Sequence, residues 1–488
     1  MMTRQWVRKT TLLLAGSLFV LTACDGTTTK QIGEVDSVAG PLGGAASDEP
    51  RATLVAQDVL SSGGTAADAA TALYFTLAVT YPVAGALGGG GECIVYNNEK
   101  NELENLRFPV GRPAAGGSVG IPGNIRGFAA LHARYGRANW SALLAEAEKF
   151  ANFGESMSRA QHMAMIGASA KIRFNKRLEE IYKTGNGEFR SEGEKIQQVR
   201  LASVLTTLRS NGGATFYGGS VGKSFVEDAN LIGGKLTNND LINYLPTWEN
   251  ALTFNVDSNT VGVSNSDYGV LYRDLWQSLF EGKGFFHFKS DLPTDKLANA
   301  TSRVFQKFSN RSPFTASATT SFVTADNEGN AVSCVVGMRL PFGTGKAGEI
   351  TGIVMAPNIQ DDKADFPNTP LLMVNKPNKD FYFASAASGG AAGTYASAYT
   401  ALQVFAEGKN LERSIEAPRL FTMGPGLPLL YENGLNKTAL QPLGAQHPVQ
   451  IEVERLGTVN AIFCLDGKVF NCQSRSDPRG YGLSMIQR

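Results

Sequence analysis

From Arg51 to Val79 apolar residues recur every three to four positions in two runs, RATLVAQDVLSS and TAADAATALYFTLAV, parted by Gly63 and Gly64. That spacing predicts two helices, the second alanine-rich enough for close packing. The period then changes: ALGGGGECIVYNNEKNELENLRF predicts strand, turn and strand. SVGIPGNIRGFAALHARYG reads as a turn followed by an amphipathic helix, and residues 139–250 as mostly helical and charged. Within that stretch GGATFYGGS marks a turn, and GGKLTNNDLINY marks a helix start. From Thr319 onward short apolar runs take over: TTSFVTAD, AVSCVVG, GIVMAP and FYFASA. One helix near Tyr395 to Glu407 interrupts them, and more strands follow. Helices and strands, a helical middle and a strand-rich end predict an α+β or layered α/β fold, with no internal repeat.

Composition narrows the classes. The 488 residues are 43% hydrophobic and 18% charged, ample for a large buried core. A formal net charge of +1 offers no basic field for nucleic acid. The 54 glycines sit in short runs such as Gly88–Gly91 and Gly389–Gly390, without the period of collagen. At the N-terminus Arg4, Arg8 and Lys9 precede TLLLAGSLFVL and then LTAC, the layout of a secretory signal. LTAC resembles a bacterial lipobox, in which Cys24 would be lipidated. Residues 1–24 are therefore expected to be a lipoprotein signal peptide and residues 25–50, small and polar, a flexible tether. Acyl chains would hold the body at a bacterial cell envelope, facing the periplasm. Export permits disulfides. Cys93 and Cys334 lie in apolar runs and read as buried thiols. Cys464 and Cys472 flank LDGKVFN, where a two-residue turn would set Cys464 opposite Val469, and their pairing stays open. No spacing suggests zinc, and no metal or cofactor is expected.

The four histidines, His132, His162, His287 and His447, are scattered, and none accompanies a Gly-x-Ser-x-Gly elbow or a His-Glu-x-x-His pair. Histidine-assisted serine chemistry and metal hydrolysis are poorly supported. A threonine at a chain N-terminus needs no histidine, because its own α-amine can accept the hydroxyl proton. In SATTSFVTADNEGNAVS, Thr319 and Thr320 open a strand, so an internal threonine would first need a cut before it.

Ordered blocks then align with a known family: DVLSSGGTAADAATA, YPVAGALGGGGECIVYN, SVGIPGNIRGFAALHARYGRANWSALL, GGKLTNNDLINY, TTSFVTADNEGNAVS, PFGTG, SGG, EAPRLF and SDPRGYG. From about Arg51 to the C-terminus the chain resembles the γ-glutamyltransferase (glutathione hydrolase) family of N-terminal-nucleophile hydrolases. The resemblance implies a four-layer αββα sandwich built from a large chain, residues 51–318, and a small chain, residues 319–488. It implies cleavage between Ala318 and Thr319, Thr319 as nucleophile, and an oxyanion site at Gly389 and Gly390. The substrate would be a γ-glutamyl amide such as glutathione, with water or an amine as acceptor. Asp361 falls where the family binds the substrate ammonium. The carboxylate-binding arginine falls on Pro109, leaving Arg107 or Arg112 to serve. Departures are several: Gly337 replaces a threonine near the nucleophile, Arg339 an asparagine, Asn358 a glutamine, and Phe366 and Pro367 a serine pair. Arg339 beside an ammonium site would repel it by about 1 kcal/mol, and would suit an acidic acyl group lacking an amine. Two alternatives follow: an acylase with an altered acyl pocket, and a non-catalytic envelope lipoprotein that keeps the fold.

Overall fold

The computed structural model describes residues 43–280, 292–308, 318–359, 370–465 and 471–487. Two sheets form its centre. One has seven strands, in spatial order Leu483–Gln487, Gly43–Ser47, Thr319–Ala325, Ala331–Gly337, Gly90–Asn97, Glu102–Phe108 and Thr247–Asn250. The other has six: Cys472–Ser476, Thr458–Cys464, Asp380–Ser388, Leu371–Asn375, Asn259–Val263 and Leu252–Val256.

Side-chain alternation stacks these sheets into layers. Val323, Ala325, Val335, Ile94 and Tyr96 of the first sheet pack against Leu372, Val374, Ala384, Ala386 and Ile462 of the second. The intervening residues face outward. Phe322, Val336, Val95 and Phe108 pack under Pro50–Ser61, Ala66–Thr80 and Asn124–Tyr135. Met373, Phe383, Ala387 and Ala461 pack under Asp267–Phe280, Thr294–Phe305 and Ala391–Phe405. Both faces of the central strands Thr319–Ala325, Ala331–Gly337 and Leu371–Asn375 are buried, which is why these read as apolar runs. The result is the expected helix–sheet–sheet–helix sandwich.

Local chemistry explains the leading elements. Thr65 accepts a bond from the Asp68 N–H, while the Asp68 carboxylate accepts one from the Thr65 N–H, a reciprocal cap at the head of Ala66–Thr80. Pro50 starts the preceding helix, where the Glu49 carboxylate accepts the Ala52 N–H at 2.8 Å.

Several expectations need correction. The tether cannot run to residue 50, because Gly43–Ser47 is a fully buried strand inside the seven-stranded sheet. Residues 25–42, and Cys24 before them, lie outside the described residues. GIVMAP forms isolated bridges at Val354, Met355 and Pro357, not a strand. Cys93 and Cys334 are not thiols: they stand opposite each other on adjacent strands and form a disulfide. Cys464 and Cys472 are also joined, because the hairpin pairs Cys464 with Cys472 rather than with Val469. Among the described residues no helix is long and apolar enough to cross a membrane.

Candidate active site

Thr319 begins a central strand, and its buried side chain follows the parity of Val323 and Ala325, which face the second sheet. Its cross-strand partner is Gly337, so the position where the resemblance calls for a threonine adjoins Thr319 and carries no hydroxyl. The next strand continues the row with Gly90. A Cβ at Gly89 would lie 2.4 Å from the Gly337 carbonyl oxygen, so only glycine allows this close approach. On the other side of the row, the Met338 N–H donates to the Ala318 carbonyl oxygen at 2.9 Å. That oxygen is the one that would gain charge if the Thr319 hydroxyl attacked the Ala318 carbonyl carbon.

Gly389 and Gly390 join the strand Asp380–Ser388 to the 15-residue helix Ala391–Phe405, with φ of +110° and +68°. The helix therefore starts four residues earlier than its apolar period implies. A Cβ on Gly389 would sit 2.8 Å from the Gly457 Cα, so the turn is seated on a second glycine. Behind Gly457 stands an ion network made by EAPRLF and SDPRGYG. Arg419 donates to the Asp477 carboxylate at 2.7 Å and to the carbonyls of Gly457 at 3.1 Å and Leu456 at 3.2 Å. Arg479 bridges Asp477 and Glu432. These two blocks buttress the turn from below.

A carboxylate that the sequence reading placed in the tether lies between the two halves of the site. Asp48 is buried, and its Oδ2 accepts the Thr320 hydroxyl and the Ser321 N–H, both at 3.0 Å, and the Ser388 hydroxyl at 3.3 Å. Its Oδ1 accepts Asn460 Nδ2 at 2.8 Å, and the Thr458 hydroxyl lies 3.4 Å from it and 2.5 Å from the Ser388 hydroxyl, so one of these two hydroxyls donates to the other and the remaining one to Asp48. Burial pushes its carboxyl above the usual aspartate range, and those donors oppose the shift. AASDEP carries no periodic signal, so nothing local marked this residue. The Thr320 hydroxyl is thus turned to Asp48.

The expected acyl-binding residues fare unevenly. Arg107 is held near Glu92 at 3.9 Å and Glu249 at 3.8 Å. It lies three strands from Ser321 along one row, about 14 Å at ordinary strand spacing. Its guanidinium faces two carboxylates. Arg112 is exposed. Arg339, by contrast, lies two residues beyond Gly337 and is buried, and its guanidinium donates to the carbonyls of Ile359 at 3.2 Å and Val110 at 3.5 Å. It therefore stands beside the segment where the missing arginine was sought. Asn358 turns toward another loop, donating from Nδ2 to the Gly117 carbonyl at 3.1 Å. Asp361, Phe366 and Pro367 lie outside the described residues. His132, His162 and His447 each bond a backbone carbonyl, of Ala138, Arg190 and Leu427.

A two-sheet sandwich flanked by helices, with a threonine heading a central strand, defines the class as an N-terminal-nucleophile hydrolase fold. The family model for gamma-glutamyltranspeptidase matches residues 52–272 and 290–486, and the chain belongs to that family of hydrolases and transferases. Scoloptoxin SSD14 of Scolopendra dehaani is 24% identical over 467 residues, 77% of this chain and 80% of that protein. The glutathione hydrolase proenzyme of Pseudomonas aeruginosa is 33% identical over 244 residues, 44% of this chain and 41% of the proenzyme. Among solved structures, cephalosporin acylase from Bacillus halodurans superposes with a TM-score of 0.74 over 95% of this chain and 99% of its own. At 19% identity that likeness speaks for the fold alone.

Proposed function

We propose that the chain is a threonine-nucleophile amidohydrolase and acyltransferase that cuts itself before Thr319. The observation that carries this reading is the Met338 N–H on the Ala318 carbonyl, beside the buried Thr319 and opposite Gly337. In the cut, Thr319 Oγ1 attacks the Ala318 carbonyl carbon and the C–N bond breaks. The hydroxyl proton passes to the departing nitrogen, leaving an ester. Water hydrolyses the ester, restoring the hydroxyl and leaving a carboxylate on Ala318 and a free amine on Thr319. An α-amine with a pKa of about 7.7–8.0 is partly unprotonated near neutral pH and can act as the base. The same hydroxyl then attacks a substrate amide. An acyl-enzyme forms against the N–H groups of the Gly389–Gly390 turn, and water or an amine releases it.

The default substrate is a γ-glutamyl amide such as glutathione, the substrate class of the named proenzyme relative. Arg339 favours a second reading, an acyl group bearing a carboxylate but no ammonium. A hydrolysis assay comparing γ-glutamyl and glutaryl anilides separates the two. Lipid attachment through Cys24 at a periplasm-facing membrane belongs to the same proposal, supported by LTAC.

The test of the nucleophile is Thr319→Ala. Wild-type protein on a reducing denaturing gel gives two fragments, the smaller starting at Thr319 by N-terminal sequencing. The variant gives one band. Cutting of the variant at the same bond removes Thr319 from the role. A wild type that stays whole and inert supports the non-catalytic reading instead.

A further inference from the structure

We propose that Asp48 is a positioning residue for acyl transfer, holding the nucleophile strand at a set distance from the double-glycine turn. The proposal rests on the threonine-nucleophile reading. Its basis is where the five groups facing the carboxylate come from, of which four can donate at once because Ser388 and Thr458 share a bond. The Thr320 hydroxyl and the Ser321 N–H belong to the strand headed by Thr319. The Ser388 hydroxyl comes from the residue immediately before Gly389. Thr458 and Asn460 belong to the strand that pairs with Ser388 and Ala386. One carboxylate therefore joins the element carrying the attacking oxygen to the element carrying the oxyanion donors. Asn460 adds to the joint, its Nδ2 reaching Ser321 O at 3.0 Å and Ser321 Oγ at 2.9 Å.

The chemistry of the donors shows why a carboxylate is needed. The Ser321 N–H at Oδ2 cannot reverse, because it is backbone. The Asn460 amide at Oδ1 is held in its orientation by Ser321 O, which can only accept. Both Asp48 oxygens must therefore be acceptors. An asparagine offers one acceptor oxygen and one NH2 group, so one of its ends must point a donor at a donor. The hydroxyls of Thr320, Ser388 and Thr458 can rotate to suit either partner, but the two N–H groups cannot. Among the described residues no ion pair compensates the charge, so these donors alone offset the cost of burying the carboxylate. Displacement of a reacting group by a fraction of an ångström is enough to slow chemistry many-fold while leaving substrate binding nearly intact.

The experiment compares wild type, Asp48→Asn and Ser388→Ala as full-length chains, with thermal melts, the rate of cutting, and kcat and KM on a γ-glutamyl or glutaryl anilide. Asp48→Asn disturbs both halves and is expected to slow cutting and to lower kcat about tenfold or more, with KM within about twofold. Ser388→Ala releases only the turn. It is expected to lower kcat about fivefold at unchanged KM and melting temperature, while the cut, which uses the Met338 N–H, proceeds nearly as in wild type. Wild-type kcat in both variants overturns the proposal, as does a loss confined to KM. If Asp48→Asn does not fold, Ser388→Ala decides alone, and wild-type kcat in it is a refutation. A wild type that neither cuts nor hydrolyses removes the threonine reading itself and this proposal with it. An active wild type with indifferent variants removes Asp48 alone.

Discussion

Arg339 holds a backbone φ of +64°, a region that costs a residue with a Cβ about 1 kcal/mol or more. On the acylase reading proposed above, Arg339 is the cation that would meet an acyl carboxylate. Arg339→Gln is expected to raise KM for a carboxylate-bearing acyl anilide about tenfold or more, with a smaller change in kcat. An unchanged KM would exclude it from recognition. Glu49 is a second residue whose environment sets its behaviour. It is fully buried, accepting from the Ala52 N–H and the Thr80 hydroxyl, and burial raises its carboxyl above the usual range. The folded state therefore holds the proton more tightly than the unfolded state. Glu49's contribution to stability falls as pH rises from about 4.3 through the raised value. Glu49→Gln cannot ionise, so wild type should lose melting temperature relative to this variant between pH 4 and 8. A difference that does not vary with pH would show that the carboxyl titrates alike in both states. Thr319 and the double glycine stand out in the sequence because ordered blocks surround them, and the structure sets them at a strand head and a strand-to-helix turn. Asp48 was not, since its partners come from three other segments and its own neighbours are small and polar.

At the level of elements, legibility followed burial. The helices Pro50–Ser61 and Ala66–Thr80 and the strands Thr319–Ala325 and Ala331–Gly337 showed in the sequence because one period or one apolar run spans each. The hairpin Leu252–Val256 and Asn259–Val263 did not, because the first of these alternates exposed and buried positions and follows a charged helical stretch. GIVMAP was apolar for another reason: it is buried loop, crossing the strand ends through single bridges. The pairing of EAPRLF with SDPRGYG was also invisible, since it depends on tertiary contact between Arg419 and Asp477, 58 residues apart in sequence. Arg419 and Asp477 are both buried, and their ion pair supports the strand Thr458–Cys464 through the Val459 N–H as well as Gly457. Arg419→Met would leave the Asp477 carboxylate without its closest cation. The expected loss is about 3–5 kcal/mol of unfolding free energy, measured by urea titration. A loss below about 1 kcal/mol would mean that Arg479 alone satisfies the acid.

Across the whole molecule, the seven-stranded sheet interleaves segments from both sides of the proposed cut. Thr319–Ala325 lies between Gly43–Ser47 and Ala331–Gly337, and the last strand, Leu483–Gln487, closes the edge beside the first. A break before Thr319 would therefore open no layer. The Cys93–Cys334 disulfide takes this further, because Cys93 precedes the break and Cys334 follows it, 241 residues apart in sequence. Both sulfurs are buried, away from dissolved thiols. Once the backbone is severed, the two polypeptides are still a single covalent species. Unfolding then cannot scatter them, and recovery of the native state is a first-order event whose rate and yield do not depend on dilution. Paired replacement of Cys93 and Cys334 by serine would turn reassembly into a bimolecular encounter that fails progressively as the protein is diluted.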